Sequence, residues 1–205
     1  MSQAKSNYWD NLLETDEHAA SYMETYGEGI GTKVRMEIGK YLNPEEWVLD
    51  VGCGPGWNFD TFLQHGPSVY YRGMDYSERF VRVANQRVAP MQIFKKGDVR
   101  KIPEPDRSFD VVIFQDVLEH TNGFEKPVRE ALRVARKRVI ITFWHLDNSD
   151  TPHINDDGDD GWGAWYDKRE WEKFLTTLRY RWEHHSFEFP EGRNRDLYVI
   201  RKEKK

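Results

Sequence analysis

From residue 47 onward, short apolar runs alternate with amphipathic stretches, and this alternation organises the chain. Val48, Leu49 and Val51 form a run that stops at the alternate glycines Gly52, Gly54 and Gly56, as a buried parallel strand does where it turns into a helix. Asn58 to Gln64 places Phe59, Phe62 and Leu63 at helical spacing, with Gly66 as a stop. Val69 to Asp75 reads as a second strand, and Phe80, Val81, Ala84 and Val88 mark a helix closed by Pro90. Gln92 to Lys96 is a third strand. After a loop from Ile102 to Ser108, the strongly apolar Phe109 to Phe114 is the fourth. Val128, Leu132 and Val134 belong to a helix leading into a fifth strand, Arg138 to Phe143.

The flanks extend the pattern. Upstream, Ile30, Val34, Ile38 and Leu42 recur every four residues and predict a helix that Pro44 stops. Downstream, Asp167-x-x-Glu170 is a capping box, with Tyr166 and Trp171 placed as its hydrophobic staple. The helix it opens runs through Phe174 and Leu178. Trp182 to Phe189 and Leu197 to Arg201 are strands joined by the hairpin-like turn Pro190 to Asn194. Strand–helix alternation closed by such a hairpin predicts an α/β fold, a doubly wound, seven-stranded, mostly parallel sheet with a C-terminal antiparallel hairpin. The expected organisation is a single domain over residues 1–205.

Composition narrows the function classes. With 38% apolar and 32% charged residues, the chain reads as a globular protein with no run near the ~20 residues that span a bilayer. Met1 to Asn7 lacks the apolar core of a secretory signal, and the single cysteine allows no internal disulfide. The expected setting is cytoplasmic, without a membrane. A net charge of −5 argues against broad nucleic-acid binding, and the basic ending Arg201 to Lys205 reads as a solvated tail. Cys53, inside the glycine turn with no histidine near it in sequence, reads as a small residue that fits there.

The chemistry concentrates at the glycine turn. Glycine tolerates positive φ and lets a ligand approach the backbone, so strand, turn and helix together suggest a cofactor site at the carboxyl end of a strand. The spacing is Gly52-x-Gly54-x-Gly56, unlike the Gly-x-Gly-x-x-Gly of dinucleotide sites. Asp50, two positions earlier, suits an ammonium-bearing ligand better than phosphates. Asp75, 23 positions after Gly52, falls at the neighbouring strand tip, where it either accepts both ribose hydroxyls or caps the next helix; Ser77 fills the capping role better. Gly97-Asp98-Val99 follows the third strand and has a plain Gly-Asp turn as its alternative reading.

Glycine turn, strand-tip acid, Gly-Asp and Phe109-Asp110-Val111-Val112 stand in an order that resembles the class I S-adenosylmethionine-dependent methyltransferases, closest to the small-molecule branch often called type 11. The resemblance runs from Trp47 to Thr142 and implies a Rossmann-like sheet with an N-terminal helical cap over residues 1–43. From that cap Tyr22 or Tyr26 either reaches the ligand or packs in the core. It implies S-adenosylmethionine as cofactor, held by Asp50, Gly52, Gly54, Gly56, Asp75, Tyr76, Asp98, Val99 and Gln115, with Asp98 on the adenine amino group and Val99 against the ring. The implied reaction is methyl transfer to an O or N atom of a small-molecule acceptor; a protein or RNA acceptor, or a non-catalytic binding module, is the alternative. A monomer or homodimer is expected.

His120 is the candidate base, since an unperturbed imidazole titrates near neutrality, with a structural histidine as the alternative. Asp116, Glu119 and His120 also have the residue types of a divalent-metal group, although no metal is expected. Between Asp147 and Asp160 lie six aspartates and no Lys or Arg. The calcium-loop pattern fails there, because counting back from Gly158 puts His153 at the first ligand position. Residues 144–166, which contain Trp144, His145, Trp162 and Trp165, are expected to form an acidic lid that orders over substrate.

Overall fold

The computed structural model describes residues 15, 18, 30–144, 146–147, 154–155, 163–188 and 194–204. Tyr22, Tyr26, His145, Trp162, most of the expected cap and much of the expected lid lie outside the described residues. The chain divides into two compact units, Met1–Pro103 and Glu104–Lys205.

The first unit holds helix α1 (Ile30–Gly39), strand β1 (Trp47–Val51), α2 (Trp57–His65), β2 (Tyr70–Asp75), α3 (Glu78–Arg87) and β3 (Phe94–Lys96). Helix α1 ends short of the expected Leu42 because Gly39 weakens it. Lys40, Tyr41 and Leu42 then bond back three residues, to Glu37, Ile38 and Gly39, which tightens the last turn. β1 pairs in parallel with β2, Trp47 opposite Tyr70 and Val51 opposite Met74, and β2 pairs in parallel with β3. Val48, Leu49, Val51 and Met74 are fully buried, as a sheet covered on both faces requires.

The second unit holds β4 (Phe109–Gln115), a 3-10 turn (Leu118–His120), α4 (Glu125–Val134) and β5 (Ala135–Phe143). Four two-residue strands follow, β6 (Leu146–Asp147), β7 (Ile154–Asn155), β8 (Gly163–Ala164) and β9 (Tyr166–Asp167). The unit closes with α5 (Lys168–Thr177), β10 (Tyr180–Phe187) and β11 (Arg195–Lys204). β4 pairs in parallel with β5, while β11 runs antiparallel to both β5 and β10, so the C-terminal hairpin is present. The seven long strands are ordered β10-β11-β5-β4-β1-β2-β3, the doubly wound, mostly parallel arrangement expected from the alternation.

Trp171 is fully buried at the centre of the second unit. Its ring meets Phe124 at 5.2 Å, Phe143 at 5.0 Å and Tyr198 at 5.5 Å between centroids. Asp167 caps α5, accepting from the Arg169 N–H. Phe124 packs against both Tyr166 and Trp171, so the two predicted staple residues share a third ring. β6 pairs with β9 and β7 with β8, which joins the described parts of residues 144–166 pairwise.

Candidate functional site

Gly52, Gly54 and Gly56 have φ of 76°, 53° and 95°, left-handed values that cost a residue with a Cβ about 1–2 kcal/mol. The three glycines are not equivalent. A Cβ on Gly56 would lie 2.7 Å from the Phe94 ring, and one on Gly73 would lie 2.3 Å from it. Phe94 of β3 therefore fills the underside of the turn, edge-on to Tyr71 and Phe59. Among the described residues, a Cβ on Gly54 would meet nothing within 4 Å. Open space against a glycine backbone is what a closely approaching ligand uses.

Asp75 ends β2 and is 9% exposed. Its Oδ2 accepts from the Gly54 N–H at 2.8 Å and its Oδ1 from the Ser77 N–H at 2.8 Å. Ser77 caps α3 through its own hydroxyl, which accepts from the Phe80 N–H, so capping falls to Ser77. Asp75 instead ties the middle of the glycine turn to the tip of the next strand.

Asp50 is fully buried. Its Oδ2 accepts from the Tyr71 hydroxyl at 2.5 Å and the Asn58 amide at 3.1 Å. Its Oδ1 and the Oδ1 of Asn58 are buried without a hydrogen-bond partner. Burial pushes the Asp50 carboxyl up to about 6, the Asp75 charge adds to the rise, and the Tyr71 and Asn58 bonds and the Arg35 charge oppose it. Two partnerless buried acceptors at the strand–turn–helix junction suit a ligand group with several N–H donors, such as an ammonium.

Arg35, which nothing in the sequence pattern singled out, lies buried beside this group. It donates to Thr61 Oγ1 at 2.9 Å and Thr32 Oγ1 at 2.7 Å and stands over the Trp57 ring. Burial, reinforced by the charges of Asp75 and Asp50, raises the Cys53 thiol well above its ordinary range. Its Sγ would lie 2.9 Å from a Cβ on Gly73, in keeping with the small-residue reading.

The adenine-side residues are placed differently. Asp98 accepts from the Arg100 N–H at 2.8 Å, and its carboxylate takes the Arg100 guanidinium at 2.8 to 3.2 Å. The carboxylate expected on an adenine amino group is thus shared with a neighbouring side chain. Val99, between them, is half-buried, as is Tyr76 beside Asp75.

In the second unit, β4 delivers the half-buried Gln115. Asp116, next along, has φ 53°, uncommon for a residue with a Cβ. Its N–H points to the Thr142 carbonyl and hydroxyl, and its Oδ1 accepts from that hydroxyl at 2.7 Å. Glu119 is fully buried and accepts from the Trp144 N–H at 2.7 Å. His120 stacks on Trp144, with ring centroids 6.2 Å apart. Among the described residues no three His, Cys, Asp or Glu side chains gather into a metal-binding group, so Asp116, Glu119 and His120 do not converge.

The Tyr166 hydroxyl accepts from the Gly123 N–H at 3.1 Å and faces the Thr121 and Leu118 carbonyls at 2.6 and 3.1 Å. It fixes the loop that carries Glu119 and His120. The staple pattern identified Tyr166 by its ring; its hydroxyl role depends on contacts more than forty positions away in sequence.

A parallel sheet, a left-handed glycine turn and a strand-tip acid bonded to that turn define a Rossmann-like fold, a class in which ligands sit at the carboxyl ends of the strands. Residues 49–143 match the family model described as a methyltransferase domain. That segment is similar to the methyltransferase domain of the class I S-adenosylmethionine-dependent methyltransferases. Ajmaline N-methyltransferase of Rauvolfia serpentina is 29% identical over 163 residues, covering 69% of this chain and 55% of the relative. Demethylmenaquinone methyltransferase of Listeria monocytogenes is 30% identical over 111 residues, covering 51% and 47%. The chain thus spans about half the length of these relatives. The magnesium protoporphyrin IX methyltransferase of Synechocystis, solved with S-adenosylhomocysteine, shares the fold at a TM-score of 0.69 and 18% identity, over 97% of this chain and 100% of that one.

Two predictions follow from the glycine turn and Asp50. Gly54→Ala keeps the fold, with a stability loss of about 1–2 kcal/mol, and weakens S-adenosylhomocysteine binding at least tenfold. Gly56→Ala loses more stability, because the Phe94 contact adds to the backbone cost. Urea unfolding and calorimetry on the two variants check both statements, and unchanged affinity in Gly54→Ala contradicts a ligand approach at that backbone.

For Asp50, the folded carboxyl titrates near 6 against 3.8 for the unperturbed group. Its contribution to stability is therefore present below about 4, is lost as pH rises to 6, and is flat above. Asp50→Asn should stabilise the unliganded protein at pH 7.5, by at most about 3 kcal/mol. It should also weaken S-adenosylmethionine binding and abolish its decline below pH 6. Thermal unfolding and calorimetry between pH 5 and 8 measure both.

Proposed function

We propose that this chain is an active S-adenosylmethionine-dependent methyltransferase that methylates an O or N atom of a small molecule. The observation that carries the reading is the open backbone face at Gly54, whose N–H is held by Asp75. The residues present fit the cofactor. Asp75 suits the ribose hydroxyls, the partnerless oxygens of Asp50 and Asn58 suit the methionine ammonium, and Tyr76, Asp98, Val99 and Gln115 supply further contacts. S-adenosylmethionine, when bound, supplies an electrophilic methyl group on a sulfonium, passed in line to a nucleophile.

Such a step depends mainly on alignment and exclusion of water. On this reading the glycine turn and Asp75 hold the donor side. Tyr166 and Glu119 hold the main chain around His120, whose imidazole can take a proton from a hydroxyl or amine acceptor. The matched relatives are named for small acceptors, ajmaline and demethylmenaquinone, and the net charge of −5 disfavours a nucleic-acid acceptor. No helix among the described residues is long and apolar enough to cross a membrane.

The test is transfer of radiolabelled methyl from S-adenosylmethionine into a cell extract, separated into metabolite, protein and RNA fractions. Label should enter the metabolite fraction and fall at least tenfold with Asp75→Ala. Label in the protein or RNA fraction contradicts the small-molecule reading, and no label in any fraction contradicts catalysis.

A further inference from the structure

Among the described residues of the second unit, the guanidinium of Arg195 stands out by its sparse hydrogen bonding. Arg195 opens β11, with its side chain 15% exposed. Its buried Nε has no hydrogen-bond partner. The nearest carboxylate oxygen, Asp116 Oδ2, stands 3.7 Å from that Nε, within ion-pair range and too far for a hydrogen bond. Among the described residues, the rest of the guanidinium makes one long bond, 3.4 Å to the carbonyl of the preceding Asn194. Among the described residues, five N–H donors thus share one weak acceptor, with the side chain 15% exposed. Lys168 and Arg169, in the same unit, differ. Lys168 donates to Asp196 at 3.2 Å, and Arg169 takes the Asp167 carboxylate with two nitrogens.

The position of Arg195 is defined. Asp196 pairs with Phe143, the last residue of β5, so Arg195 lies one step beyond the carboxyl end of that strand. From there it reaches Asp116, just past the end of β4. Asp116 is itself held by the Thr142 hydroxyl and by a left-handed backbone, and its carboxylate faces the Nε side of the guanidinium. A guanidinium binds two oxygens of one anion through a pair of parallel N–H groups. With Asp116 on the Nε side, the terminal nitrogens form the remaining edge.

We propose that Arg195, aligned by Asp116, binds an oxyanion on the methyl acceptor. The acceptor is then a small molecule carrying a carboxylate or phosphate besides its nucleophilic O or N. This rests on the methyltransferase reading above and deepens it, by giving the substrate class a charge. Arg195 also accounts for the strained Asp116. Placed there, a carboxylate orients the guanidinium without saturating it.

The test uses the whole chain saturated with S-adenosylhomocysteine and titrated with benzoate, phenyl phosphate or the neutral benzamide. The Arg195 Nε–H resonance and calorimetry report binding. Benzoate or phenyl phosphate should shift that resonance saturably, the tighter of the two identifying the oxyanion, and benzamide should not. Arg195→Gln should weaken oxyanion binding at least tenfold and Arg195→Lys less, with S-adenosylhomocysteine affinity unchanged in both. Equal binding of benzoate and benzamide, parental oxyanion affinity in Arg195→Gln, or no response of Arg195 to either oxyanion overturns the proposal. If Arg195→Gln fails to fold, the parent resonance and Arg195→Lys decide. Failure of the parent to bind S-adenosylhomocysteine would overturn the cofactor reading separately, and the oxyanion titration is then read without it.

Discussion

The glycine turn of the first unit depends on a single carboxylate. Asp75 accepts from the Gly54 N–H with one oxygen and from the Ser77 N–H with the other, joining the turn after β1 to the start of α3. Bonds to a charged acceptor are roughly twice as strong as neutral ones, so a turn of three left-handed glycines has a fixed path in spite of its backbone freedom. Phe94 fixes it from below. Its ring occupies the volume that side chains at Gly56 and Gly73 would need. With one face filled and the turn tied down, the backbone at Gly54 is left facing open space. The same carboxylate has a cost, since its charge adds to the rise of the buried Asp50. A bound cation relieves that conflict, which is why stability and cofactor affinity should move in opposite directions at Asp50.

In the second unit the corresponding organiser is a hydroxyl. Tyr166 gathers main-chain groups of Leu118, Thr121 and Gly123, and Glu119 in the same loop accepts from Trp144. The segment that leaves β5 at Trp144 and returns at Tyr166 is therefore anchored at both ends to one loop, and its ends also pair as β6 and β9. A buried polar network of this kind rigidifies what it connects when its members are satisfied. Arg195 Nε, buried without a hydrogen-bond partner among the described residues, is consistent with the ligand role proposed for it.

The succession of strands and helices and the glycine turn were legible because both are local. An apolar run ending in glycines, or a helix capped by Ser77, needs only neighbouring residues to be recognised. The boundaries drifted where local forces compete, as at Gly39, where the helix tightens and stops before Leu42. The roles of Arg35, Tyr166 and Arg195 were not legible. Each is defined by partners 26 to 79 positions away, Thr61, Thr121 and Asp116 among them, and no periodicity encodes such a meeting. Asp98 is a different case. Its Gly-Asp setting was plain in sequence, yet the carboxylate is engaged by Arg100 two positions on, a local competitor the motif does not mention.

The most direct test of the central claim, that a glycine turn held by Asp75 receives S-adenosylmethionine, is an amide NMR titration with S-adenosylhomocysteine and, separately, with NAD. The account predicts that Gly52, Gly54, Gly56 and the amides of Asp75 to Ser77 shift with S-adenosylhomocysteine and stay unmoved by NAD. Unmoved glycine amides with S-adenosylhomocysteine, or equal shifts with NAD, would contradict it.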